Sequence, residues 1–478
     1  MTRERRIVGP FNRVEGDLEV RLDIEDERIA AASISASLYR GFEAMLPGRP
    51  SEDALTIVPR ICGICSVSQS IAAAAALRNL AGAAATRNGL LAECLVGACE
   101  NLADHLTHFY LFFMPDFARP AYAGRPWYDE AAARFRAVEG TAARDVLPAR
   151  AAFMHLMGLM AGKWPHTLSL RPGGSARPLA AGDVLQLVGL VRDFRRFLEQ
   201  HLFGDRLEAV TGLAGLDDLA RWRRAGGGDL RRFLAIADDL GLDRAGRAGD
   251  RFLSYGAYAG PDGRLWPAGV WRDGRVAGLD VEAVSEDVSH AWLEGGTLPP
   301  LLGRTVPDPD KPGAYTWCKA PRYRGEVVET GALARQMVAG QPLVRALVAE
   351  RGGSVTARVL ARLLELAAVV PVMEDWARAI EPGAPWCDAL ALPDDGEAVG
   401  LAEAARGSLG HWLVVRQGRI ARYQVVAPTT WNFSPRDGAG TPGALEQALA
   451  GLAVPGGDLT PVQHVVRSFD PCMACTVH

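Results

Sequence analysis

Four cysteines in two Cys-x-x-Cys pairs are the residues of this sequence best suited to chemistry. Cys62 and Cys65 lie in Arg60-Ile-Cys-Gly-Ile-Cys65; Cys472 and Cys475 lie in Asp470-Pro-Cys-Met-Ala-Cys475. A Cys-x-x-Cys turn lets two sulfurs face one metal, and Gly63 or Pro471 helps to shape it. Two pairs could build a tetrahedral zinc or iron–sulfur site, but structural zinc pairs usually lie tens of residues apart. Here most of the chain intervenes. Closing so long a loop adds an entropy cost that grows only slowly with length, so the whole chain can fold around one shared site. Soft thiolates suit zinc, nickel or iron, and spacing does not choose among them. A redox disulfide or incidental cysteines are the other readings of these residues. Cys94, Cys99, Cys318 and Cys387 form no cluster motif and read as buried small hydrophobes.

The elements that must position these pairs follow from periodicity. Leu18, Val20, Leu22 and Ile24 alternate with Glu19, Arg21 and Asp23, the pattern of a half-buried strand, and a second such stretch covers 29–37. From Gln69 the pattern turns helical. The alanine-dominated run Ile71–Leu77 suits a helix packed closely against its neighbours, and 90–113, 183–202 and 357–380 also have helical spacing. Residues 203–330, rich in Gly, Pro and Trp, read as strands and loops with weaker helices. Trp412–Pro428 is strand-like, broken at Gln417-Gly418 as by a hairpin turn. These readings predict an α+β fold with a large helical core and small peripheral sheets. One unit spans 1–478: a β region at about 1–58, a helical core with loops over 59–400, and a β region with the ligand tail over 401–478.

Composition narrows the function classes. Of 478 residues, 49% are hydrophobic and 23% charged, as in ordinary globular proteins. Lys+Arg number 52 against 56 Asp+Glu, so no basic surplus calls for nucleic acid or an anionic membrane. No stretch approaches the ~20 apolar residues of a membrane span. The first residues carry no apolar signal-peptide region, and eight cysteines in this length are no secreted disulfide framework. The expectation is a cytoplasmic protein, unless it is exported on a partner that bears the signal.

Around the cysteines lie further motifs: Arg13-Val-Glu-Gly16, Arg40-Gly-Phe-Glu43, Asp104-His-Leu-Thr-His-Phe-Tyr110, and Gly162-Lys-Trp-Pro-His166 with Pro172-Gly-Gly174. Lys319-Ala-Pro-Arg-Tyr323, Ala405-Arg-Gly-Ser-Leu-Gly-His-Trp412 and Pro428-Thr-Thr-Trp-Asn432 follow. Taken in order with the two cysteine pairs, they make the sequence resemble the large subunit of nickel–iron hydrogenases along essentially its whole length. The resemblance implies a Ni–Fe centre, with Cys62 and Cys472 terminal on nickel and Cys65 and Cys475 bridging the metals. It implies CO and cyanide on the iron, with Arg406 and Thr429 as hydrogen-bond donors to the cyanides. H2 is a very weak acid, so its cleavage needs a Lewis-acid metal and a nearby base. By resemblance Cys472 takes the proton first and Glu15 relays it, while Arg406 and Asp104 lie over the open metal position and Asp470 lies near the second cysteine pair. Glu43, His478 and a carbonyl near Val425 match ligands of a buried Mg2+, completed by waters; histidine is unusual for that ion, so its identity stays open. His105, His108 and His411 are expected to make structural hydrogen bonds. Iron–sulfur clusters are expected only in a partner small subunit.

Departures from the common pattern narrow the subtype. Gln69 stands where most relatives have a histidine four residues after the second cysteine, and an amide cannot titrate near neutrality. Ile64 and Phe112 match the bottleneck of the gas channel, where ordinary enzymes carry Val and Leu; Ala405 replaces a common Pro before Arg406, which bears on the backbone support of that arginine and not on the subtype. The sequence also stops at His478, as expected of sensor types made without a C-terminal extension. These features predict a regulatory, H2-sensing large subunit of low turnover that signals through the small subunit to a histidine kinase. The alternatives are an uptake hydrogenase of energy metabolism, and a non-catalytic subunit of an electron-transfer complex with the same fold.

Overall fold

The computed structural model describes residues 3–478. It opens with an antiparallel sheet of β1 (Arg3–Val8), β2 (Leu18–Glu25) and β3 (Arg28–Ala36), adjacent in that order. Leu18, Val20, Leu22 and Ile24 are buried, as their alternation requires. Val20 lies opposite Ile34, and Leu22 opposite Ala32. Asp26 and Glu27 both take left-handed backbone angles between β2 and β3, the geometry of a tight two-residue hairpin.

Long helices follow: α1 (Ser66–Leu80), α2 (Arg87–Thr107), α3 (Thr141–Ala161), α4 (Ala181–Phe197) and α5 (Val355–Arg378). α5 runs through the core and is buried over most of its length. Ser354 caps it, its hydroxyl accepting the Ala357 N–H at 3.3 Å. A C-terminal antiparallel sheet comprises β4 (Gly396–Ala404), β5 (Gly407–Arg416) and β6 (Arg419–Val426). Gln417 and Gly418, both at positive φ, turn β5 into β6 where the hairpin was expected. The alanines of α1 have a packing reason. A Cβ on Gly400 of β4 would stand 2.0 Å from the Ala72 carbonyl oxygen, so helix and sheet meet backbone to backbone, and larger side chains there would force the layers apart. α6 (Thr460–Ser468) then leads into the tail that carries the second cysteine pair.

Three expectations change in detail. The helix expected over 90–113 ends as α-helix at Thr107, and His108–Phe113 form a π-helical turn. There the His108 ring lies 2.6 Å from the Arg467 carbonyl oxygen, a contact across elements that local spacing does not encode. Within 203–330, Leu216–Arg224 and Asp229–Leu240 are well-formed helices, because acidic first turns and amphipathic spacing outweigh the surrounding glycines. Cys387 is exposed, whereas Cys94, Cys99 and Cys318 are buried. Among the described residues no helix is long and apolar enough to cross a membrane.

Candidate metal centre

The four cysteines of the two pairs meet. Their Sγ atoms all lie within 4.8 Å of one another, and all four residues are buried. Cys65 is 2.9 Å from Cys475, Cys472 is 2.9 Å from Cys475, and Cys62 is 3.5 Å from Cys472 across 410 residues of sequence. Cys65 is the residue before the first turn of α1, and the Ile64 N–H donates to Cys62 Sγ at 3.3 Å. On the other side Pro471 ends the helical run after α6, Asp470 takes a positive φ of 56°, and Cys472 opens a single helical turn, Met473–Thr476. Hydrogen bonds from Cys472, Cys475 and Cys65 pull the Cys62 thiol far down, while the bond with Cys472 pushes Cys65 up and burial pushes Cys475 up. A soft multivalent cation is what lets all four be thiolates, and the donor set fits one.

Neighbouring segments hold the two pairs together. Glu15 runs alongside Cys472 as a parallel bridge, with its N–H donating to the Pro471 carbonyl at 3.4 Å and its carbonyl accepting the Met473 N–H at 2.7 Å. Gly16 must be glycine here: its φ is +82°, and a Cβ would lie 3.1 Å from the Ala474 nitrogen. The Glu15 side chain is half-buried; burial and then the charge of Cys62 raise its carboxyl, against the pull of Arg406 and Arg40. Thr429 Oγ1 accepts the Cys472 N–H at 3.2 Å, which leaves its hydroxyl proton available to another acceptor. Arg406, buried, pairs with Asp104 Oδ2 at 2.9 Å and Asp470 Oδ1 at 3.1 Å, and its Nε donates to the Asp470 carbonyl at 2.8 Å. Burial pushes Asp104 up to about 7 against the pull of Arg406. Asp470 Oδ2 is buried without a hydrogen-bond partner.

The sequence profile of nickel-dependent hydrogenases matches residues 40–140 and 145–478. The chain belongs to the nickel-dependent hydrogenase family. The periplasmic NiFeSe hydrogenase large subunit of Desulfomicrobium baculatum is 28% identical over 516 residues, covering 98% of this chain and 94% of that protein. The uptake hydrogenase large subunit of Azotobacter chroococcum mcd 1 is 28% identical over 587 residues, covering 99% and 95%. The Ni-Fe-Se hydrogenase structure from D. vulgaris Hildenborough in the reduced state matches with a TM-score of 0.86 at 27% identity, covering 100% of both chains. The fold is therefore that of a hydrogenase large subunit, and the protein is an enzyme of H2 oxidation.

In this hydrogenase a second polar cluster is buried where Glu43, Val425 and His478 converge. The Val425 N–H donates to Glu43 Oε1 at 2.8 Å, and His478 Nε2 lies 2.6 Å from the Val425 carbonyl oxygen and 3.5 Å from Glu43 Oε1. Lys319 Nζ stands among them, 2.8 Å from Glu43 Oε2, 2.6 Å from Gln424 Oε1 and 3.5 Å from Glu286 Oε2. Burial works against the charge on Glu43, but Lys319 and then His478 bring it down to about 2. A cavity of about 10 Å3 adjoins these groups, the room of one water or small ion.

Gln69, beside the first pair, is buried, and its Oε1 lies 2.8 Å from His411 Nε2, whose Nδ1 lies 2.8 Å from the Tyr423 hydroxyl. Burial drives His411 down to about 3, so this chain of bonds is neutral, and Gln69 Nε2 has no partner. His108 also makes a structural bond, whereas His105 has no hydrogen bond and only approaches Glu365 at 3.4 Å. Ile64 packs, partly buried, against the cysteine cluster; Phe112, also partly buried, lies in the π-helical turn.

Sequence reasoning passed over two residues that shape the site. Arg40 Nη2 donates to the carbonyls of both Ile61 and Ala474, the residues immediately before Cys62 and Cys475. Its motif was visible, but a bond to backbone carbonyls leaves no complementary side chain to find. Lys319, within another visible motif, neutralises Glu43 through the contacts above, and nothing in its own neighbourhood of sequence names that partner.

Proposed function

We propose that this large subunit cleaves H2 heterolytically at the four-thiolate site, and that Glu15 carries the proton away. The supporting observation is the two-sided backbone pairing of Glu15 with the segment bearing Cys472. When bound, the Ni–Fe pair supplies the Lewis acidity that polarises H2. Cys62 and Cys472 would be its terminal ligands on nickel, and Cys65 and Cys475 its bridges. Cys472 receives the proton, and Glu15, whose raised carboxyl is poised to take it, passes it outward. Arg406, fixed between Asp104 and Asp470, and the hydroxyl of Thr429 would be the donors to cyanide on the iron. Glu43, the Val425 carbonyl and His478 would hold Mg2+ or a similar hard cation, in competition with Lys319 for Glu43. Infrared spectra with and without H2 test the centre: CO and cyanide bands that shift with H2 are expected, and missing bands in nickel-loaded protein would overturn it.

Two physiological roles compete. The relatives are named uptake and periplasmic hydrogenases, which favours oxidation of H2 for energy metabolism. The sensing role rests on this chain's own Gln69, a neutral amide joined to a neutral His411. In that role a cytoplasmic large subunit works slowly and reports through an iron–sulfur small subunit to a histidine kinase. A low turnover number with a kinase recovered in the native complex is expected for sensing; fast dye reduction with no kinase would establish the uptake role instead.

A further inference from the structure

Glu100 is a buried acid that none of these roles uses. It sits on α2 with 3% of its surface exposed, and its carboxylate reaches across to the first turn of α1. Oε2 accepts the Val67 N–H at 2.9 Å and the Trp164 indole N–H at 3.1 Å. Oε1 accepts the Ser68 N–H at 2.9 Å and the Ser68 hydroxyl at 3.0 Å. Among the described residues no arginine, lysine or histidine forms an ion pair with it. Arg150 lies instead over the Trp164 ring, 5.7 Å from its centroid.

The first N–H groups of a helix have no partner inside it, and Cys65, at the cap position of α1, provides no side-chain bond. Glu100 provides the cap from another helix and so fixes the turn that follows Cys65. Through Trp164 it also ties in the segment that backs the first pair. Pro165 lies where a Cβ on Gly63 would be 3.7 Å away, the His166 N–H donates to Ser66 Oγ at 3.1 Å, and His166 Nδ1 is 3.0 Å from the Pro59 carbonyl oxygen. A carboxylate held only by neutral donors in a poorly screened interior keeps its field over distance. This one grips residues two and three positions beyond Cys65.

We propose that Glu100 is a positioning residue for the Cys62–Cys65 pair, and that its charge holds the reduction potential of the metal centre down. The proposal needs only the nickel centre of the family, and holds for either physiological role.

A redox titration of the nickel signal in the intact holoenzyme at pH 8.5, with nickel per chain measured on the same samples, tests this. Glu100→Gln is expected to keep its nickel and to move the midpoint to more positive values. A tenfold rise in the reduced-to-oxidised ratio at fixed potential corresponds to about 59 mV for a one-electron couple. Glu100→Asp, which keeps the charge, should recover most of that shift, a rescue that a merely space-filling role would not give. An unmoved midpoint in nickel-loaded Glu100→Gln, or an equal shift in Glu100→Asp, overturns the proposal. If Glu100→Gln fails to fold or load, Trp164→Phe and Ser68→Ala carry the test at pH 9.5: burial raises the Glu100 carboxyl to about 7 and each lost donor raises it further, so the higher pH keeps the charge while one donor is gone. Both should move the midpoint to more negative values, and no movement in either overturns the proposal.

Discussion

The backbone of Glu15 brackets Cys472: its N–H bonds to the carbonyl before that cysteine, and its carbonyl accepts the N–H after it. The proposed proton acceptor and the proposed relay are thus held by main-chain bonds, which survive side-chain substitution.

Replacing Glu15 with Gln should therefore leave the tail and the metals in place. Loss of a positioned acid–base group typically costs about a hundredfold or more in rate. We expect D2/H+ exchange, followed as HD by mass spectrometry, to fall by at least that factor while nickel content stays unchanged. Normal exchange in the variant would remove Glu15 from the proton path.

Arg40 joins the two halves of the centre by bonding the carbonyls before Cys62 and Cys475. Hydrogen bonds from a charged group are worth about 1.5–3 kcal/mol each. Arg40→Ala is expected to lower thermal stability and cut nickel per chain severalfold, with Arg40→Lys intermediate because one ammonium lacks the planar fork. Elemental analysis of the purified proteins decides it.

His411 predicts a pH dependence. Its pKa falls from an ordinary 6.5 to about 3 on folding, chiefly through burial and then through repulsion from His478. The unfolded chain therefore binds a proton that the folded chain refuses between those values, and the group's contribution to stability falls as pH drops below about 6.5. His411→Gln should destabilise the protein at pH 7. Measured by denaturant unfolding, its deficit against the parent should shrink by about 1.4 kcal/mol for each pH unit below 6.5. A deficit independent of pH would mean that His411 is not buried neutral.

Ile64 borders the sulfurs, and Phe112 lies on the π-helical turn. If the two narrow a gas path, Ile64→Val with Phe112→Leu should raise the rate of inactivation by O2 severalfold and change H2 oxidation little. An unchanged inactivation rate would reduce both side chains to packing.

How much of this was legible in the sequence follows from how local each signal is. The strand alternation at Leu18–Ile24, the turn at Gln417-Gly418 and the two Cys-x-x-Cys pairs are written in consecutive residues, and each is found where expected. Gln69 was singled out by position, but its partner His411 lies 342 residues away, and only folding reveals that bond. Arg40 and Glu100 were not given roles because both act on backbone groups, Arg40 on carbonyls and Glu100 on the N–H groups of Val67 and Ser68. Every residue presents such groups, so no pairing of residue types marks the site. The π-helical turn was likewise hidden, because the helical pattern of the sequence runs on through it and the bond from the His108 ring to the Arg467 carbonyl appears only on folding.

The sulfurs of Cys62 and Cys472 belong to residues 410 positions apart. A metal that joins them is a clasp on a ring nearly as long as the molecule. While it stays closed, the unfolded chain is confined to looped shapes, a restriction worth roughly 6 kcal/mol on the chain-entropy formula for cross-links. Stripping the metal would then loosen the whole fold rather than one corner of it. Hydrogen exchange deep in β2 and α5, far from the sulfurs in sequence, would quicken together.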